Sequence, residues 1–213
     1  MRTIAFPVVV LAIVGTAFAQ QPKAIVAPSP GRGVISMERY PGGSVVTDLG
    51  YNIKTNKDST LKREWFVVRD DAAPASVDGA AGIDVQYKSG ERYSSGQYQY
   101  HIGYTVRAKE PIAAIELRVH VFDVFGKLIK TLSATELTDF SDSRSFDGNW
   151  HIWSENEASE AFASVAYIAQ VRTASGRVYE AERSAIFDQV RKVGRRITEA
   201  DLEPKREPPA GQK

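Results

Sequence analysis

Between residues 98 and 107 the chain alternates without a break. Tyr98, Tyr100, Ile102, Tyr104 and Val106 fall on one side, and Gln99, His101, Gly103, Thr105 and Arg107 on the other. Successive side chains of a β-strand point to opposite faces, so this run predicts a strand with one face buried and one exposed. The same period returns in Ile112–Phe122, where Ile115, Leu117, Val119 and Val121 oppose Glu116, Arg118 and His120. In Leu61–Arg69, Trp65 and Val67 share one face and Phe66 and Val68 the other. Two apolar faces predict a strand covered on both sides. Shorter runs occur at Ile83–Tyr87, Leu128–Leu132, Asn149–Trp153, Val165–Val171 and Val178–Glu182. Asp123-Val124-Phe125-Gly126-Lys127 and Thr173-Ala174-Ser175-Gly176-Arg177 read as hairpin turns. In the first, Asp123 accepts from backbone N–H groups; in both, a glycine (Gly126, Gly176) takes the positive-φ position.

About eight short strands within about 120 residues, with no amphipathic helix long enough for a crossover, predict an all-β antiparallel fold. The architecture resembles an immunoglobulin-like or fibronectin-III-like sandwich, carried by residues 61–183. The chain has no cysteine, so the inter-sheet disulfide of antibody domains is absent. The sheets must therefore hold by packing. Residues 184–203 read as a short helical segment: Ser184 as cap, Ile186, Val190 and Val193 on one face, Gly194 as stop, and Thr198 to Asp201 as a capping box. Residues 204–213 are charged and proline-containing, the composition of a disordered tail.

The front of the chain carries a different signal. Arg2 precedes an apolar run from Ile4 to Phe18, followed by the small-residue pattern Ala17-Phe18-Ala19 and Gln20. That is the layout of a secretory signal peptide over 1–19. The run is shorter than the about 18–20 apolar residues of a membrane span, and Pro7 interrupts it. The expected product is secreted or periplasmic, with no transmembrane segment after cleavage. Residues 20–60, broken by Pro22, Pro28, Pro30, Pro41 and several glycines, read as an extended arm. Val34-Ile35 or Val45-Val46 within it could add an edge strand. The whole chain has 27 basic and 26 acidic residues. Loss of Arg2 with the leader makes these equal, which gives no electrostatic reason to expect nucleic-acid binding.

No Gly-x-Ser-x-Gly elbow, H-E-x-x-H helix, Walker loop or dinucleotide fingerprint occurs. His101 and His120 both sit on polar strand faces and would meet if their strands were neighbours, but two histidines make a weak zinc argument. Asp139, Asp142 and Asp147 fall in a polar loop whose oxygens would suit Ca²⁺; a solvated connection is the plainer reading. Trp150, Trp153, Tyr98 and Tyr100 are candidates for a platform that stacks on sugars or peptide side chains, although Ile102 and Val106 on the tyrosine face favour core packing. Arg191, Lys192, Arg195 and Arg196 form a basic cluster that would complement a helix C-terminus or meet an anionic surface. The reading these features support is a non-catalytic module with no cofactor, binding another protein or assembling in the envelope. The alternatives are a carbohydrate-binding module and an enzyme whose site would need His101, His120 or the aspartates to converge.

Overall fold

The computed structural model describes residues 33–42, 62–90, 96–152 and 155–205. The leader expected at 1–19, most of the 20–60 arm, Trp153 and the tail from 206 onward lie outside them. The described chain is all-β with short helical pieces. It runs β1 (Ile35–Pro41), β2 (Glu64–Asp70), β3 (Ala75–Asp78), β4 (Asp84–Lys88), β5 (Gln97–Ala108), β6 (Ile112–Phe122), β7 (Leu128–Phe140), β8 (Ser143–His151), α1 (Glu155–Glu160), β9 (Ala163–Thr173), β10 (Val178–Glu180), α2 (Arg183–Val190) and a 3-10 turn at Glu199–Leu202.

Six strands make the larger sheet, in the order β1-β2-β9-β6-β7, with β10 on β9. Beyond the end of β2, β10 continues along the same edge of β9. The smaller sheet centres on β5: β3 and β4 lie end to end along one edge and β8 along the other. The alternation decides which side chains meet between the sheets. Tyr100, Ile102, Tyr104 and Val106 of β5 join Ile115, Leu117, Val119 and Val121 of β6 and Ala166, Ile168 and Val171 of β9 in one buried cluster. The register of β6 on β9 shifts at Ala169. This bulge lets Ile168 and Val171 face the same core although they are an odd number of residues apart.

The opposite face of the larger sheet is also covered. Phe66 and Val68 of β2, Val165 and Tyr167 of β9 and Phe122 of β6 pack beneath Ile186 and Val190 of α2 and Leu202 of the 3-10 turn. That cover explains the two apolar faces of β2 and β9.

Three expectations need correction. The β2–β9 pairing is parallel, so the fold is not purely antiparallel. The hydrophobic pattern of a strand does not encode its direction. The polar stretch Asp139–Asp147, read as a loop, is strand on both sides of a tight turn, because β7 and β8 extend along β6 and β5 wherever those offer a ladder. Ser184 does not cap α2: the helix begins at Arg183 with Glu182 as its cap residue, and Ser184 Oγ donates instead to Glu182 Oε1 at 3.0 Å.

At the β6–β7 turn, Asp123 Oδ1 accepts from Phe125 N and Lys127 N, both at 2.8 Å. Gly126 has φ 76° and Gly176 φ 90°. A Cβ on Gly176 would meet open space, whereas one on Gly126 would sit 2.7 Å from the Val193 carbonyl oxygen. Gly176→Val should therefore lower stability by about 1–2 kcal/mol through backbone strain alone, and Gly126→Val by more. Urea melts of both variants check this, and equal losses would mean that the Val193 contact is immaterial.

Candidate binding groove

The structure separates the residues that the sequence offered as sites. Tyr100 is fully buried and its hydroxyl points at the Glu157 carbonyl, 3.4 Å away. Burial pushes its pKa far above the ordinary tyrosine value. Tyr98 lies half-buried against Tyr87, ring centroids 4.9 Å apart. Trp150 Nε1 donates to the Ser133 carbonyl at 3.1 Å, across to the other sheet. Tyr100 and Trp150 are thus committed to packing and offer no stacking platform, for the reason the alternation itself implies: that face of β5 looks between the sheets.

The histidines do not converge. His101 projects from the outer face of β5 in the smaller sheet, while His120 lies beneath the cover on the far face of the larger sheet. Two packed layers stand between them, so they cannot share a metal. Asp139 is in β7, Asp142 in the turn and Asp147 in β8. Among the described residues no three histidine, aspartate or glutamate side chains are grouped so as to hold a metal ion. Opposite His101 in the ladder stands Asp84. Burial raises the Asp84 pKa, and the nearby His101 and Arg63 charges oppose that rise.

The place where charge, an open strand edge and an exposed aromatic residue meet is elsewhere. A groove of about 750 Å³ runs beside the first half of β7, from Leu128 to Thr131. One end is the β6–β7 turn, which presents Phe125 and Lys127. One wall is the segment after α2, carrying Arg195 and Arg196, then Asp201, Glu203 and Lys205; the other includes Glu157. The turn and the segment are joined, since Arg195 N donates to the Gly126 carbonyl at 2.6 Å. The 3-10 turn is fixed by its capping box, in which Asp201 Oδ2 accepts from Thr198 N at 2.9 Å. Those bonds from Thr198, with Lys205 beside it, hold the Asp201 carboxyl below its ordinary pKa.

The groove's carboxylates already have cations. Glu157 meets Lys130 at 3.7 Å, Asp201 meets Lys205 at 3.5 Å, and Glu203 meets Arg118 at 2.8 Å and Arg183 at 2.5 Å. Lys127, Arg195 and Arg196 have no ion-pair partner among the described residues, so the groove carries unmatched positive charge. Phe125 is 75% exposed. Arg196 has φ 58°, the one described non-glycine residue with positive φ. That conformation costs a side-chain-bearing residue of order 1–2 kcal/mol.

This splits the basic cluster of the sequence. Arg191 pairs with Asp188 at 3.1 Å and Lys192 Nζ donates to Gln189 Oε1 at 2.7 Å. Because α2 ends at Val190, Arg195 and Arg196 lie past its last turn and serve the groove rather than the helix end. The joining contact spans residues 126 and 195, a separation that no local pattern reports. The chain matches no family model, no curated protein and no solved structure.

Proposed function

We propose that this chain is an exported, non-catalytic β-sandwich of the immunoglobulin-like or fibronectin-III-like class, which binds a protein partner in the cell envelope or extracellular space. Strand order supports the class. β5 lies beside β8 in one sheet while β6 lies between β7 and β9 in the other. The chain crosses between sheets after β2, after β5, after β7 and after β8, the Greek-key habit of such sandwiches. The leader-like residues 1–19 support export.

The groove beside β7 carries the binding reading. Its wall is tied to the β6–β7 turn by the Arg195–Gly126 hydrogen bond, it bears three cations with no ion-pair partner among the described residues, and it displays a large exposed ring. An exposed aromatic residue beside arginines is the composition of interface anchors. The test uses the full-length chain, exported in its native host, with a photo-cross-linking phenylalanine analogue in place of Phe125. The expected result is a discrete protein adduct in the envelope or secreted fraction. A second chain with the probe at Gln86, on the exposed outer face of the smaller sheet, should give none. Absence of an adduct at position 125, or equal labelling at both positions, would overturn the reading.

A further inference from the structure

We infer that the groove takes an extended acidic segment of the partner, which joins β7 as an added strand and sets its carboxylates against Lys127, Arg195 and Arg196. This rests on the protein-binding reading above and specifies the partner's chemistry.

The backbone argument begins at Trp150. Its Nε1 reaches the Ser133 carbonyl, so the Ser133 peptide group points away from β6. Peptide groups along a strand alternate in direction, and the β6–β7 register is unbroken from Lys130 to Leu137. Thr131 therefore also turns its N–H and C=O outward, and Thr131 lines the groove. No described group bonds them. The indole closes this edge at Ser133, so the open stretch is the one bordering the groove. An open edge flanked by a cleft is the geometry of recognition by strand addition, in which main-chain bonds give affinity and side-chain subsites give selectivity.

The side-chain argument is the charge. The carboxylates of the lining are engaged by Lys130, Lys205, Arg118 and Arg183, and Lys127, Arg195 and Arg196 have no ion-pair partner among the described residues. Two of these are arginines, whose planar fork suits a carboxylate. The positive φ of Arg196 is a local cost with no packing return, since its side chain is exposed. Phe125, held by the Asp123 bonds to its own N–H and to Lys127, gives an apolar rest for an uncharged side chain between the acids.

The experiment measures fluorescence anisotropy of a labelled peptide, Asp-Val-Glu-Phe-Glu-Val-Asp, with the full-length protein. Three competitors accompany it: its lysine counterpart, the acidic peptide N-methylated at alternate backbone nitrogens, and inorganic tripolyphosphate. The acidic peptide should bind, more weakly as salt rises. Binding should fall about tenfold or more in Arg195→Glu/Arg196→Glu, and by a similar factor on N-methylation. Both arginines are exposed, so the double variant should keep its melting profile, read by circular dichroism. Undiminished binding of the N-methylated peptide would remove the added strand. Equal binding of the lysine peptide, or displacement by tripolyphosphate at equal concentration, would remove the acidic segment in favour of a general groove or a simple anion site. Concentration-dependent dimerisation abolished by the same double variant would make a second copy the occupant and overturn the proposal. An adduct at position 125 without acidic-peptide binding would leave the protein-binding reading standing and sink this one; absence of both would sink both.

Discussion

Phe122→Ala should lower the unfolding free energy by about 3–5 kcal/mol, the range for removing a fully enclosed phenylalanine ring. Phe122 ends β6 and has no solvent exposure. It stands opposite Ala163 of β9 and Leu128 of β7, and its carbonyl accepts from Phe162 N at 2.8 Å. On its open side the chain passes at Gly194, where a Cβ would lie 2.4 Å from the Phe122 ring. Glycine is required there by close approach. Gly194→Ala alone should cost about 1–3 kcal/mol by overpacking. The two changes compensate in volume, so the double variant should lose less than the sum, with a coupling of about 0.5–3 kcal/mol. Urea denaturation of the four proteins measures this. Additive losses would show that the ring and the Gly194 backbone do not press on each other.

Acid should destabilise the protein through His120 before most carboxylates titrate. His120 is 1% exposed. Its Nδ1 lies 2.9 Å from Thr131 Oγ1, and that hydroxyl donates its own hydrogen to the Asp201 carbonyl at 2.7 Å. The hydroxyl must then accept from the ring, which places the imidazole proton on Nδ1. Nε2 is buried with no hydrogen-bond partner, and Tyr167 stacks on the ring at 5.7 Å. Burial, then the Arg118 charge, pull the pKa down to about 4, against a smaller opposing pull from Asp201. An unfolded histidine titrates near 6.5, so between these values the unfolded chain holds more protons than the folded one. Stability is complete above about pH 6.5 and is lost as pH falls toward 4. From pH 7 to 4.5 this amounts to about 2–3 kcal/mol. Denaturation at both pH values should show that loss in the native chain and a clearly smaller one in His120→Gln. Parallel slopes would assign the acid sensitivity elsewhere.

Sequence periodicity made β5 and β6 legible because each presents one face to a packed layer and one to polar surroundings or a polar contact. The same alternation already implied that Tyr100 and Tyr104 face inward. β7 and β8 were legible only at their ends. Residues such as Thr135, Asp139 and Ser145 carry little apolar signal, and pairing with β6 and β5 makes them strand. The direction of β2 against β9 was not legible either, because an apolar run reads alike in both senses. The groove depends on the hydrogen bond from Arg195 to Gly126 and on where α2 stops, whereas the sequence shows only four clustered cations. Their pairing, which separates Arg191 and Lys192 from Arg195 and Arg196, is set by the fold.

The parallel union of β2 with β9 sets an order on folding. Phe66 meets Val165, about a hundred positions later in the chain, and closing so long a loop is slow. In synthesis from the N-terminus, β1 and β2 exist long before the strand that seats them. Until Ala163 and its successors are present, the β1–β2 pair has no inner neighbour, and Phe66 and Val68 lack the β9 and α2 residues that cover them. A chain ending before β9 would therefore leave the inner edge of β2 open to pairing with its own kind.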